Sequence, residues 1–205
     1  MMKKMALASA IAAGMIVSAA PAQATDFSFT GNFTNPNDIA LFNFSVGTES
    51  TVTLRTWSYA GGTNAAGDII ARGGFDPILA LFDSTGALVD YNDDGGFNVA
   101  ADSVTGSRFD TYFSELLAAG DYTVSVMAFS NFAVGPNLSD GFDGTGSFGG
   151  RSTHWAFDVL NVNSAVVPGG VPEPSTWLMM ILGFGAIGGM MRTKRRQQSR
   201  IHFAF

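Results

Sequence analysis

Between residues 25 and 167, hydrophobic and polar side chains alternate in one short run after another. Phe27, Phe29 and Phe33 are interleaved with Ser28, Thr30 and Asn32, and Phe42, Phe44 and Val46 with Asn43 and Ser45. Tyr122, Val124 and Val126 alternate with Thr123 and Ser125, and Trp155, Phe157 and Val159 with His154, Ala156 and Asp158. A period of two puts every second side chain on one face of an extended chain, so each run predicts a strand with one buried face. Val52 and Leu54 likewise oppose Thr53, Arg55, Trp57 and Tyr59. Ile78 to Phe82 is apolar on both faces and predicts a central strand, turned through Asp83-Ser84-Thr85-Gly86 into Ala87 to Tyr91 as a hairpin.

Gly, Asn and Asp clusters separate these runs, and Gly61 to Gly74 and Gly135 to Gly150 are expected to be long surface loops. Seven or eight short strands with no convincing interior helix predict an all-β fold, an antiparallel β-sandwich of jelly-roll or immunoglobulin-like layout. Phe113 to Ala119 is the one stretch that also suits a helical turn.

The two ends of the chain follow a different pattern. Residues 1–24 join a basic start, Lys3 and Lys4, to an apolar stretch and end in Ala22-Gln23-Ala24, a small-x-small cleavage site. This is the pattern of a secretory signal peptide, read by signal peptidase. At the other end, residues 168–174 form a linker containing Val171, Pro172, Glu173 and Pro174. The prolines hold that peptide extended, and a helix can begin only beyond it. Residues 175–191 are uncharged, and 192–205 open with the basic cluster Arg192, Lys194, Arg195 and Arg196. Trp177 to Met191 as a helix is roughly 22 Å long against a hydrocarbon core of about 30 Å. That is short, but flanking Ser175 and Thr176, interfacial Trp177 and snorkelling Arg and Lys side chains extend it into a transmembrane helix with a cytoplasmic basic tail.

A Val-Pro-Glu-Pro-Ser motif, a short Gly-containing hydrophobic helix and an Arg-rich end, in that order, resemble the PEP-CTERM sorting signal of Gram-negative bacteria. The resemblance implies an exosortase substrate: exported, held in the inner membrane in transit, then delivered to the cell surface or extracellular polysaccharide matrix. Gln197 to Phe205 is a departure, because such tails end soon after the basic cluster. The body has a second resemblance. Phe75-Asp76-Pro77 through Phe82-Asp83, then Asn92-Asp93-Asp94-Gly95-Gly96, then Ala119-Gly120-Asp121-Tyr122-Thr123-Val124 is similar to exported β-domains of the pre-peptidase C-terminal type. This implies a β-sandwich accessory domain and, in some relatives, calcium.

Charge narrows the function. Of the 17 acidic residues 16 lie in the body, against 4 of the 11 basic ones, so the body is near −12. Such a surface repels nucleic acid and favours divalent cations or neutral partners. There is no cysteine, hence neither disulfide nor thiol chemistry. Asp90, Asn92 and Asp94 before Gly95 fit the first half of a calcium loop, D-x-N-x-D-G. The EF-hand pattern then fails, with Ala101 in its twelfth place and Asp102 one place late. The same residues also suit a plain turn.

Catalysis has little support. His154 and Asp158 are about 13 Å apart along a strand, and Ser147 lacks the first glycine of a nucleophile elbow. Arg55, Trp57 and Tyr59 form a potential sugar-stacking face, unless the following loop folds over them. The sequence therefore predicts a non-enzymatic exported protein with a structural or adhesive body. The alternatives are a carbohydrate-binding module and a plain C-terminally anchored periplasmic protein.

Overall fold

A computed structural model describes residues 23–168, 181–184 and 187. In chain order the strands are β1 (Thr25–Asn32), β2 (Ala40–Val46), β3 (Ser50–Thr56), β4 (Gly62–Thr63), β5 (Ile69–Ile70), β6 (Pro77–Asp83), β7 (Leu88–Asn92), β8 (Tyr112–Leu117), β9 (Gly120–Ala128), β10 (His154–Val162) and β11 (Ser164–Val166). Two antiparallel sheets face each other, one in the order β1-β10-β3-β8 and the other β11-β2-β9-β6-β7; β4 and β5 form a separate hairpin. The fold is a β-sandwich.

The alternation seen in the sequence is what fills it. Phe42, Phe44 and Val46 of β2 meet Val52 and Leu54 of β3, Val124 and Val126 of β9, and Phe157 and Val159 of β10 in one buried cluster. Phe42 stands at its centre, 5.1 Å ring to ring from Phe157 and edge-on to Trp155 at 5.6 Å. Fully burying each such side chain stabilises by about 1.5–3 kcal/mol, which supports a domain without disulfides.

β6 is central, as its two apolar faces predict. Leu79 and Leu81 join the main core, while Ile78, Ala80 and Phe82 join Met127 in a second cluster covered by Phe132, Ala133, Leu138 and Phe142. The Gly-rich segment after β9 is thus a packed cover over the outer sheet face. Two further expectations are corrected. Residues 112–117 form the edge strand β8 rather than a helical turn, with Phe113 and Leu117 turned inward. The loop after β3 contains the β4–β5 hairpin.

Among the described residues no helix is long and apolar enough to cross a membrane. The signal peptide up to residue 22, the Val171–Pro174 motif, the basic cluster and most of the expected transmembrane helix lie outside the described residues.

Candidate metal centre and the sorting signal

The β6–β7 hairpin assembles the most unusual chemistry of the body at its open end. Asp76 immediately precedes β6, and Asp93 and Asp94 immediately follow β7. Antiparallel pairing sets Leu79 opposite Asn92, so continuing the register three residues outward brings Asp76 beside the Asp93–Gly95 segment. One carboxylate oxygen from each of Asp76, Asp93 and Asp94 lies within 4.8 Å of the others. Gly95 is needed beside them. Its amide donates to the Asp110 carbonyl at 2.8 Å, and a Cβ there would stand 2.6 Å from Val99 Cγ1 and 2.9 Å from that carbonyl.

Two of the three groups are buried in an unusual way. Asp76 Oδ1 and Asp93 Oδ1 are sealed from solvent and accept no hydrogen bond. An ionised oxygen in that position has neither solvent access nor a hydrogen-bond donor, and such burial is costly unless a proton or cation compensates it. The Asp76 carboxyl is accordingly pushed up to about 8, mostly by burial and then by the charges of Asp93, Asp94 and Asp110, with Arg151 acting weakly the other way. Burial and then Asp94 push Asp93 up to about 6, and burial also raises Asp94. Three convergent carboxylates with no nitrogen or sulfur form a hard-oxygen set, suited to Ca²⁺ rather than Zn²⁺.

Only part of the expected calcium loop is in this group. Asp94 belongs to it, but Asp90 and Asn92 do not. Asp90 is exposed on edge strand β7, its Oδ1 accepting from the Tyr91 amide at 2.7 Å. Asn92 Oδ1 accepts from the Tyr112 amide at 3.1 Å and so ties β7 to β8. Asp102 is also engaged elsewhere. Arg72 grips it with Nε and Nη2 at 2.7 and 2.8 Å, the Val104 and Thr105 amides donate to it, and its carboxyl lies far below the usual range, chiefly because of Arg72.

The expected sugar face is not presented. β3 ends at Thr56, so Trp57 and Tyr59 lie beyond the strand. The Arg55 guanidinium covers one face of Trp57 at 3.6 Å, and the backbone of Gly62 packs so close that a Cβ would stand 2.7 Å from the ring. Trp57 Nε1 donates to buried Asp158 at 2.7 Å. Tyr59 is 7 % exposed, with Arg151 over its ring at 3.5 Å and the Phe109 ring against it. These contacts cover the Trp57 and Tyr59 rings, which do not form an open stacking face for a pyranose. Nor does His154 face a carboxylate: its ring nitrogens meet Ser152 Oγ and the Ala71 carbonyl.

Residues 170–196 match the family model of the PEP-CTERM protein-sorting motif. The chain carries a PEP-CTERM sorting motif. That motif marks an exported protein, processed by an exosortase-type sorting enzyme and destined for the surface or the outside. Among solved structures, the pre-peptidase C-terminal domain of a collagenase from Bacillus anthracis is a neighbour. It has 8 % identity and a TM-score of 0.34, over 69 % of this chain and 90 % of that one. No curated protein matches the chain. The chain is a β-sandwich body followed by a PEP-CTERM sorting signal, and no enzyme family is indicated.

Proposed function

We propose that this is a non-enzymatic structural protein of the cell surface or extracellular matrix, released from the inner membrane by processing at its PEP-CTERM tail. The observation that carries the reading is the sorting motif at 170–196. The body is consistent with a structural role. Buried Asp110 serves the fold, accepting from Thr56 Oγ1, Tyr59 N and Ala60 N at 2.8–3.0 Å. Asp76, Asp93 and Asp94 would hold Ca²⁺, which would neutralise their charge and tie the two ends of the hairpin together. An exported domain meets that ion at concentrations sufficient for a site with Kd on the order of 10⁻⁴–10⁻³ M.

The experiment is mass spectrometry of the C-terminal peptide from chains recovered from each cell fraction. Chains ending near Pro172 to Pro174, outside the inner membrane, support the proposal. Chains intact to Phe205 in the membrane fraction overturn it in favour of a C-terminally anchored periplasmic protein.

A further inference from the structure

The folded body ends very close to the sorting motif. β11 is an edge strand on β2, pairing Ser164 with Ser45 and Val166 with Asn43. The chain then runs on beside the preceding turn and first residues of β2. There Val167 and Pro168 line a groove of about 500 Å³ together with Ile39, Leu41, Phe42 and Trp155. The groove lies between β1, β2 and the departing chain, and no charged residue lines it. In a body near −12 this is a neutral mouth. Its rim is apolar and open: Ile39 is 38 % exposed and Val167 49 %.

We propose that this groove is a docking surface for the exosortase-type enzyme that processes the tail, so that the enzyme reads the end of the folded body as well as the Pro-Glu-Pro peptide. Chain length supplies the argument. Val171 follows Pro168 by three residues, so even fully extended chain places the start of the motif no more than about 11 Å from the groove, and Glu173 no more than about 18 Å. A specific protein–protein contact covers roughly 800 Å² on each partner, a patch about 16 Å in radius. An enzyme whose ordinary footprint is centred on the start of the motif therefore reaches the groove. An uncharged apolar surface is one that a partner enzyme can cover without desolvating carboxylates. The inference rests on the sorting reading above.

The test uses the full chain in its own cells, with processing followed as the fraction of chains truncated near Pro172 to Pro174 over time. The double variant Ile39→Asp/Val167→Asp charges the exposed rim and leaves the core untouched. A second, long-linker variant carries eight extra Gly/Ser residues after Gly169, extending the tether by up to about 28 Å. The double variant is expected to slow processing several-fold with the native linker and to have no effect with the long one, where motif and body act separately. Unchanged processing in the double variant overturns the proposal. Equal slowing in both linker backgrounds also overturns it, since the substitutions then act on export or folding. Altered membrane partitioning at an unchanged processing rate assigns the groove to lipid instead and rejects the enzyme as its occupant. If the unaltered chain is never truncated, the sorting reading itself fails and this proposal fails with it.

Discussion

The Asp76–Asp93–Asp94 group makes an unusual prediction about pH. Most carboxylates in folded proteins are stabilised as anions, so stability falls as acid is added. Here the Asp76 carboxyl lies at about 8 in the folded protein, well above its ordinary value of 3.8. Between those two values the folded state binds more protons than the unfolded one, so stability falls as pH rises from about 4 to 8. Asp93, at about 6, adds to the loss in the lower part of that window. The full linkage for Asp76 between pH 4 and 7 is about 4 kcal/mol. Water reaches part of this side chain, which brings the expected loss down to about 2 kcal/mol.

Calcium bound at these carboxylates should oppose the trend. It requires the ionised carboxylates, so its apparent affinity should rise at least tenfold between pH 5 and pH 8 as the competing protons leave. At 5 mM Ca²⁺ and a Kd of 10⁻⁴–10⁻³ M the gain is about 1–2 kcal/mol. For a domain of this size that moves Tm by roughly 2–8 °C. The assay is thermal unfolding of the processed protein by circular dichroism, at pH 5 and pH 8, with EDTA or calcium. The EDTA form should melt lower at pH 8 than at pH 5, and calcium should close most of that gap. Asp76→Asn keeps the shape without the charge and should raise the pH 8 melting temperature in EDTA while abolishing the calcium response. If calcium leaves Tm at pH 8 unchanged in the unaltered protein, the three carboxylates are not a cation site.

Other substitutions test the remaining geometry. Asp102→Ala removes the acceptor shared by Arg72 and the Val104 and Thr105 amides, which can turn to water, so urea unfolding should show a loss on the order of 1–2 kcal/mol. Trp57→Phe removes the donor to Asp158, which is 1 % exposed, and should cost about 1–3 kcal/mol in the same assay; it should leave any retention on immobilised polysaccharide unaltered, because the ring is covered. Gly31→Val should fail to give stable protein at 37 °C, since even a Cβ at that position would stand 2.3 Å from Trp155 Cζ2; limited proteolysis reads this directly.

The sandwich was legible because one-sided strands write their burial into every second residue. Phe42, Phe44 and Val46 face the core for that reason, and Ile78 to Phe82 was recognisable as central because both of its faces are apolar. What alternation could not show was which segments cover the outside of each sheet. Glycine-rich stretches read as loose loops, yet Gly61 and Gly62 bring a hairpin across Trp57. The close fit of Gly62 against that ring depends on a residue without a side chain, which no periodicity records. Leu138 and Phe142 in the second Gly-rich region, with Phe132 just before it, were the visible sign that it would pack rather than project, since a loop fully surrounded by water has no use for three large apolar side chains.

The cation group was half legible for a related reason. A local motif search weighs neighbours in sequence, and Asp90, Asn92 and Asp94 have the spacing of a loop that supplies its ligands from one segment. The structure instead draws Asp76 from 17 residues before Asp93, and the hairpin is the device that joins them. The signal that finds Asp76 is the pairing register. A strand at 77–83 turned tightly into one ending at 92 must return the chain beside its own start, and both ends carry acidic residues. Two acidic ends of a hairpin repel each other and would splay, unless a proton or a divalent cation lies between them. The choice between those two is what the paired pH and calcium titrations decide, and it separates a domain held closed by an extracellular ion from one that opens as the medium becomes alkaline.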